Sequence, residues 1–155
     1  MKTNKIVYHT PHLFAKILFC TLSLSAVLSF LCCTSAEQHR LQSSVDEYNT
    51  LCPLPMSDGV RIDSLVYNQK TSEVIYYCTV EGVTGDIRTD TLLLAAIKVH
   101  ANKESRKSLD SMRSSDNGRE TLLLLESVGA NLAFVYQLDD ATPVARFSFT
   151  KSDWK

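Results

Sequence analysis

Two of the five cysteines, Cys52 and Cys78, are the side chains best suited to chemistry in this sequence. In an oxidising compartment such a pair usually forms a disulfide. Closing the loop between them would stabilise the fold by about 3–4 kcal/mol on a chain-entropy estimate. The alternative is that Cys78 is a small buried hydrophobe and Cys52 a free thiol. The sequence leaves both interpretations open.

A nucleophilic thiol needs a nearby base or helix terminus that lowers its pKa. After residue 36 the histidines are His39 and His100. His39 lies in a polar stretch, and His100 lies among the lysines of a predicted helix. A thiol-dependent or hydrolytic enzyme, with a site assembled from residues outside any motif, is therefore the alternative function. No catalytic residue is predicted.

Metal and cofactor chemistry lack a recognisable pattern in the sequence. There is no Cys-x-x-Cys or His-x-x-x-His spacing, no calcium loop and no Gly-x-Ser-x-Gly element. The five glycines form no phosphate-binding loop. We therefore predict no metal and no cofactor. Arg61 and Asp63 share one face of a predicted strand and could form a surface contact, although an exposed ion pair contributes little.

The charges are unevenly distributed along the chain. Residues 1–36 contain three lysines and no acid, whereas the rest contains 13 basic residues (16 − 3) and 17 acidic ones, a net charge of −4. A mildly acidic domain produces no field that would hold a polyanion, which argues against nucleic acid as a partner.

The first 36 residues have the pattern of a signal peptide. A basic segment precedes Ile17–Leu31, which is uncharged and too short for a span of about 20 residues. An uncleaved membrane anchor is the alternative. Cleavage after Ala36 would leave a free domain, and lipidation at Cys32 or Cys33 would tether it. Bulky Phe30 and Leu31 fit a lipoprotein signal poorly.

The remaining sequence predicts a polar arm over residues 37–58 and a small α+β domain over 59–155. Asp90 or Thr89 can cap a first helix at Thr91. Asn117 and Glu120 resemble a capping box for a second helix that ends at Gly129. A buried strand over residues 122–128 is the alternative to that second helix. Strands are predicted over residues 60–66, 73–81, 132–138 and 144–150. The order ββααββ predicts an antiparallel four-stranded sheet with its helices on one face.

Tyrosines concentrate on the predicted strands or directly beside them, at Tyr67, Tyr76, Tyr77 and Tyr136. They could stack a sugar or line a peptide groove. Strands favour aromatic residues in any case, so packing in the core or between strands is the preferred interpretation.

Several short motifs resemble a group of small exported envelope proteins of Bacteroidetes-type bacteria that have no assigned activity. The matching pieces are Asn49-x-x-Cys52-Pro53, Arg61-x-Asp63-Ser64, Tyr77-x-x-x-Glu81 and the spacing of Gly129, Leu132 and Tyr136. The resemblance implies a fold and a compartment, and it implies nothing about a reaction.

Taken together, these patterns predict an exported protein of the periplasm or outer envelope. Its expected role is a non-enzymatic binding or interaction module for an unknown protein or small ligand. Contact with the membrane is expected only through an N-terminal lipid or an uncleaved signal.

Overall fold

The computed structural model describes residues 36–83 and 90–155, and the chain divides into two units, Met1–Ala36 and Glu37–Lys155. The predicted signal through Ser35, with Cys32 and Cys33, lies outside the described residues. No helix in the described ranges is long and apolar enough to cross a membrane. The helices are α1 (36–49), α2 (Thr91–Ser114), α3 (Asp116–Ser127) and α4 (Lys151–Trp154). The strands are β1 (Leu54–Ser57), β2 (Val60–Asn68), β3 (Glu73–Val80), β4 (Asn131–Gln137) and β5 (Pro143–Phe149).

The strands form one mixed sheet in the order β1-β2-β3-β4-β5. Neighbouring strands are antiparallel except β3 and β4, which run parallel from Glu73 beside Asn131 to Thr79 beside Gln137. The α+β class is confirmed. The predicted four-stranded antiparallel sheet is wrong in two respects, since β1 adds a fifth strand and the central pair is parallel.

The parallel pair follows from the connection between β3 and β4. A parallel neighbour needs a long crossover, and α2 with α3 supplies it. After the crossover the chain returns to the end of the sheet where β3 begins. The hydrogen bond from the Asn131 N–H to the Ser72 carbonyl, 2.8 Å long, marks that point. The order of strands and helices along the sequence does not show at which end of the sheet the chain returns, so it did not predict the parallel pair.

The predicted polar arm over residues 37–58 is also wrong. Its first part is α1, and its last residues form β1 at the edge of the sheet. Leu41 and Val45 are only 2% and 3% exposed and belong to the main core. The polar composition reflects the outer face of an amphipathic helix rather than a loose segment.

The helix ends partly follow the predicted signals. The Asp90 carboxylate accepts from the Leu93 N–H at 2.9 Å and caps α2. Gly129, with φ of +66°, ends α3, and the next N–H, of Ala130, donates to the Leu125 carbonyl. The helix predicted over residues 122–125 is confirmed as part of α3. The predicted capping box is wrong, because the cap is Ser115, whose hydroxyl accepts from the Gly118 N–H.

The main core lies on the face of the sheet that α1, α2 and α3 cover. Alternate residues of the two central strands point into it, and Cys78, Leu132 and Tyr136 have no exposed surface. Tyr67, Tyr76 and Tyr136 are all buried there, as the preferred interpretation of the tyrosines predicts. The opposite face carries a small second cluster of Ile75, Ala133 and Val135 with Tyr77 packed against it.

Candidate functional site

A cavity of about 450 Å³, the main cavity, lies between α1, the α2–α3 pair and the inner face of the sheet. Pockets that hold small ligands usually measure about 300–1,000 Å³. Its lining falls into two groups. Eleven apolar or aromatic side chains form the interior: Leu41, Val45, Tyr48, Ile62, Leu65, Val74, Tyr76, Met112, Leu125, Leu132 and Phe134. The others are neutral and small or polar: Ser44, Ser108, Ser111, Asn117, Gly118 and Thr121.

Aromatic rings form part of the interior. Tyr76 stacks on Phe134 with ring centroids 5.0 Å apart, and Tyr48 meets Tyr76 edge-on at 5.9 Å. Burial raises the pKa of both tyrosines above the usual value, with smaller contributions from neighbouring groups. Both phenols are therefore uncharged at neutral pH, so the interior carries no charge.

Hydroxyl and amide side chains mark the mouth, because they are the lining residues that reach solvent. Ser44, Ser111 and Asn117 are exposed, and Ser108 and Thr121 are partly exposed. A smaller hollow of about 320 Å³ adjoins this mouth and shares Ser44, Asn117 and Thr121 with it.

The charged groups of the adjoining hollow come from α1 and α3. Arg40 bonds Glu120 at 2.5 Å across the two helices, and Glu47 lies nearby in the lining. One cation and two carboxylates leave this edge of the mouth slightly negative.

Asn49 fixes α1 against the sheet. Its side-chain amide donates to the Leu65 carbonyl at 2.8 Å, and its side-chain oxygen accepts from the Leu65 N–H at 2.7 Å. The pairing of β1 with β2 covers β2 only from Val60 to Ile62. Asn49 therefore extends the edge bonding of β2 where β1 has ended, and it holds the α1 wall of the cavity in place.

Gly118 allows α3 to approach α2 closely at the mouth. A methyl group there would fall against the Cα and carbonyl oxygen of Met112 and within 2.6 Å of the Ser115 hydroxyl. The first of these contacts is with backbone, which cannot rotate away. Glycine at this position is what permits the tight corner between the helices.

The structure places Cys52 and Cys78 as separate free thiols. Burial, helped by the Asp63 charge, raises the pKa of the Cys78 thiol from 9.0 to about 12. The same two causes raise the pKa of Cys52. A catalytic thiol needs the opposite shift. His100 is exposed on α2, whereas Cys78 is completely buried. A disulfide between the two cysteines stays a prediction.

Arg61 and Asp63 are brought together, with the guanidinium Nε donating to the carboxylate at 2.7 Å. Arg61 also donates to the Glu81 carboxylate at 2.6 Å. The hydrogen bond to Glu81 and, to a smaller extent, the one to Asp63 raise the pKa of the Arg61 guanidinium. Asp63, at an irregularity in the β2–β3 register, accepts in addition from the Thr79 hydroxyl. The Asp139 carboxylate lies 3.6 Å from the same guanidinium, so one cation serves three carboxylates. The bonds to Glu81 and from Thr79 tie β2 to β3 and to the residue that follows it. A role in contacting a partner stays a prediction.

No group of three or more His, Cys, Asp and Glu side chains within residues 36–83 and 90–155 is arranged to hold a metal ion. The sequence interpretation missed the α1 wall of the main cavity, formed by Leu41, Val45 and Tyr48. Their spacing of i, i+4 and i+7 is helical and could have identified a buried face.

Comparison with known proteins gives a family and a fold. A family described as a domain of unknown function, DUF8479, matches residues 35–122, which are 88 of the 155 residues. No curated protein matches the chain.

Two solved structures are similar. A Pseudomonas aeruginosa protein described as secreted aligns with a TM-score of 0.55 and 14% identity over 77% of this chain and 94% of its own. The pilotin of the Vibrio vulnificus type 2 secretion system gives 0.52 and 7% over 78% and 94%. At such low identities the likeness shows a shared fold.

Proposed function

The chain belongs to the DUF8479 family, a domain of unknown function, and we propose that it is an exported, non-enzymatic binding module of the cell envelope. The main cavity is the binding site, and it takes an apolar group of the partner. The observation that carries the proposal is the size and lining of that cavity: about 450 Å³, bounded by three helices and the sheet and open to solvent on one side, with an apolar interior and uncharged polar side chains where it opens.

The cavity opens to solvent at its mouth, so water covers its apolar wall when it is unoccupied. Removing apolar surface from water is favourable, by about 25 cal/mol per Å². An apolar group that enters the cavity would cover that wall, so the apolar lining favours binding.

Export rests on the first 36 residues, with their uncharged run of 15 residues behind a basic segment. The fold likeness to a protein described as secreted and to a secretion-system pilotin agrees with an envelope location. The buried Cys78 thiol, with its raised pKa, supports a non-enzymatic role. Lipidation at Cys32 or Cys33 would tether the module, and cleavage after Ala36 would release it.

Site-specific photocrosslinking tests the proposal in cells. A benzophenone side chain is introduced at Ser44, on the cavity mouth, or at Val99, which is 73% exposed on α2 and does not line the cavity. We expect a defined crosslinked product in the envelope fraction from position 44 and none from position 99. Equal labelling from both positions, or none from either, would contradict a binding role for the cavity.

A further inference from the structure

We propose that the main cavity binds a neutral aliphatic chain, such as the hydrocarbon chain of an alcohol, ester or amide lipid, with the uncharged polar end at the mouth. This inference rests on the proposed function and assigns a ligand class to its site. It follows from the charge of the lining, the bonding state of the walls and the available volume.

The charge of the lining excludes an ionic end group inside. The two ionisable side chains among the lining residues are Tyr48 and Tyr76, and both phenols are neutral. Burying a charge without a partner is very costly. At the mouth, a carboxylate would meet Glu47 and Glu120, and the cation there, Arg40, is already bonded to Glu120. A fatty acid anion is therefore disfavoured relative to a neutral chain of equal length.

The walls offer little to a peptide backbone. Of the strands that floor the cavity, β3 and β4 have strand partners on both sides. β2 is paired with β1 only from Val60 to Ile62, and Asn49 bonds its edge further along, at Leu65. An extended peptide placed there would bury N–H and C=O groups without hydrogen bonds, which costs several kcal/mol. A hydrocarbon chain has no such groups.

The volume argues against a helix as the occupant. A helix is about 10–12 Å in diameter with its side chains. A compact space of about 450 Å³ is only about 9.5 Å across, so a helix could place single side chains in it but could not enter it. A narrow chain can enter the same space, with its polar end at the hydroxyls of the mouth. The Ser44 and Thr121 hydroxyls donate to the Arg40 and Asn117 carbonyls, so toward a ligand they act as acceptors.

Displacement of the neutral fluorescent probe N-phenyl-1-naphthylamine from the full chain tests the inference. Competitors are the 1-alkanols from hexanol to tetradecanol, and sodium dodecanoate at pH 8. We expect dodecanol to displace the probe at least tenfold more effectively than dodecanoate. Each added methylene should increase affinity about fourfold until the chain fills the cavity. Failure of dodecanol to displace the probe, or equal displacement by dodecanoate, overturns the inference.

A matched pair of variants localises the binding. Ser44→Trp places an indole at the mouth, whereas Ser43→Trp places it on an exposed neighbouring position of α1 that does not line the cavity. We expect Ser44→Trp to reduce dodecanol binding at least tenfold and Ser43→Trp to retain it. Both variants carry the same N-terminal segment, so binding to its apolar run would appear equally in both and would overturn the assignment.

The crosslinking experiment separates the two levels of the proposal. A crosslinked envelope protein at position 44, together with no dodecanol binding, would show that the occupant is a protein segment. The ligand assignment would then fail while the binding module stands. Absence of both signals would overturn both.

Discussion

Replacement of Asn49 should destabilise the fold far more than its partly exposed position suggests. Asn49→Ala removes both bonds to Leu65, a residue that is 5% exposed. Asn49→Asp keeps the shape and the acceptor, but it loses the N–H that donates to the Leu65 carbonyl and places a carboxylate against that oxygen. Both variants free the end of α1 from β2, next to the main cavity.

The magnitude follows from the backbone groups left without partners. A buried donor or acceptor that loses its partner costs about 1–3 kcal/mol. Two such groups, with partial access of water, give an expected loss of about 2–4 kcal/mol for Asn49→Ala. We expect Asn49→Asp to lose at least as much at pH 7, because the carboxylate adds repulsion.

Urea denaturation with a matched control provides the assay. Asn68 also makes two side-chain bonds to backbone, accepting from the N–H groups of Lys70 and Thr71, but in an exposed turn where water can replace it. Asn68→Ala should therefore cost less than about 1 kcal/mol. If Asn49→Ala and Asn68→Ala cost the same, the edge-bonding role assigned to Asn49 is wrong.

Three further predictions concern the helix corner, the buried thiol and the processed form. Gly118→Ala should lower the unfolding free energy by about 1–3 kcal/mol, because the clash with Met112 outweighs the gain of about 1 kcal/mol in helix propensity. Urea denaturation measures the change, with Asn117→Ala as the control. A Gly118→Ala variant more stable than the original protein would refute the clash. Because burial raises the pKa of Cys78 from 9.0 to about 12, its contribution to stability is complete below pH 9 and lost as the pH rises towards 12. Denaturation from pH 8 to 11 should show that fall and a shallower one for Cys78→Ala, and identical slopes would contradict it. Intact mass of the exported protein should show either a free Glu37 terminus or a lipid-modified cysteine at position 32 or 33, and a terminus retaining residues 1–16 would contradict export processing.

A thiol count tests the predicted disulfide separately. Mass spectrometry of alkylated peptides distinguishes Cys52 and Cys78 from the other cysteines. Free thiols at both positions in protein purified without reductant would reject the bridge. In reduced native protein, we expect the alkylating reagent to modify Cys52. It should modify Cys78 only after unfolding, because Cys78 has no exposed surface.

Local signals in the sequence predicted most of the elements. The alternation in residues 73–81 and 132–138 identified β3 and β4, and Asp90 and Gly129 marked helix ends. These features depend on neighbours in the chain, so the sequence displays them. The parallel pairing of β3 with β4 depends on where the α2–α3 crossover returns the chain, and no local pattern encodes that.

The main cavity could not be predicted from the sequence either, because it too depends on how distant parts of the chain come together. Its walls come from elements far apart in the chain, and its volume depends on how closely they pack. The α1 wall could have been predicted, because Leu41, Val45 and Tyr48 have helical spacing. The polar residues around them instead suggested an arm outside the folded domain. The sequence motif around Cys52 includes Asn49 but gives it no structural role. Its bonds to Leu65 depend on where β1 ends, which no local pattern shows.

The most direct test of the cavity as a binding site is an isotope-filtered NMR measurement of contacts between dodecanol and the methyl groups of the protein. We predict nuclear Overhauser contacts from the alkyl chain to the methyl groups of Met112, Thr121 and Ile62, lining residues that keep some exposed surface. Contacts confined to Ile75 and Val135 on the opposite face of the sheet, or no contacts with saturating dodecanol, would contradict the account.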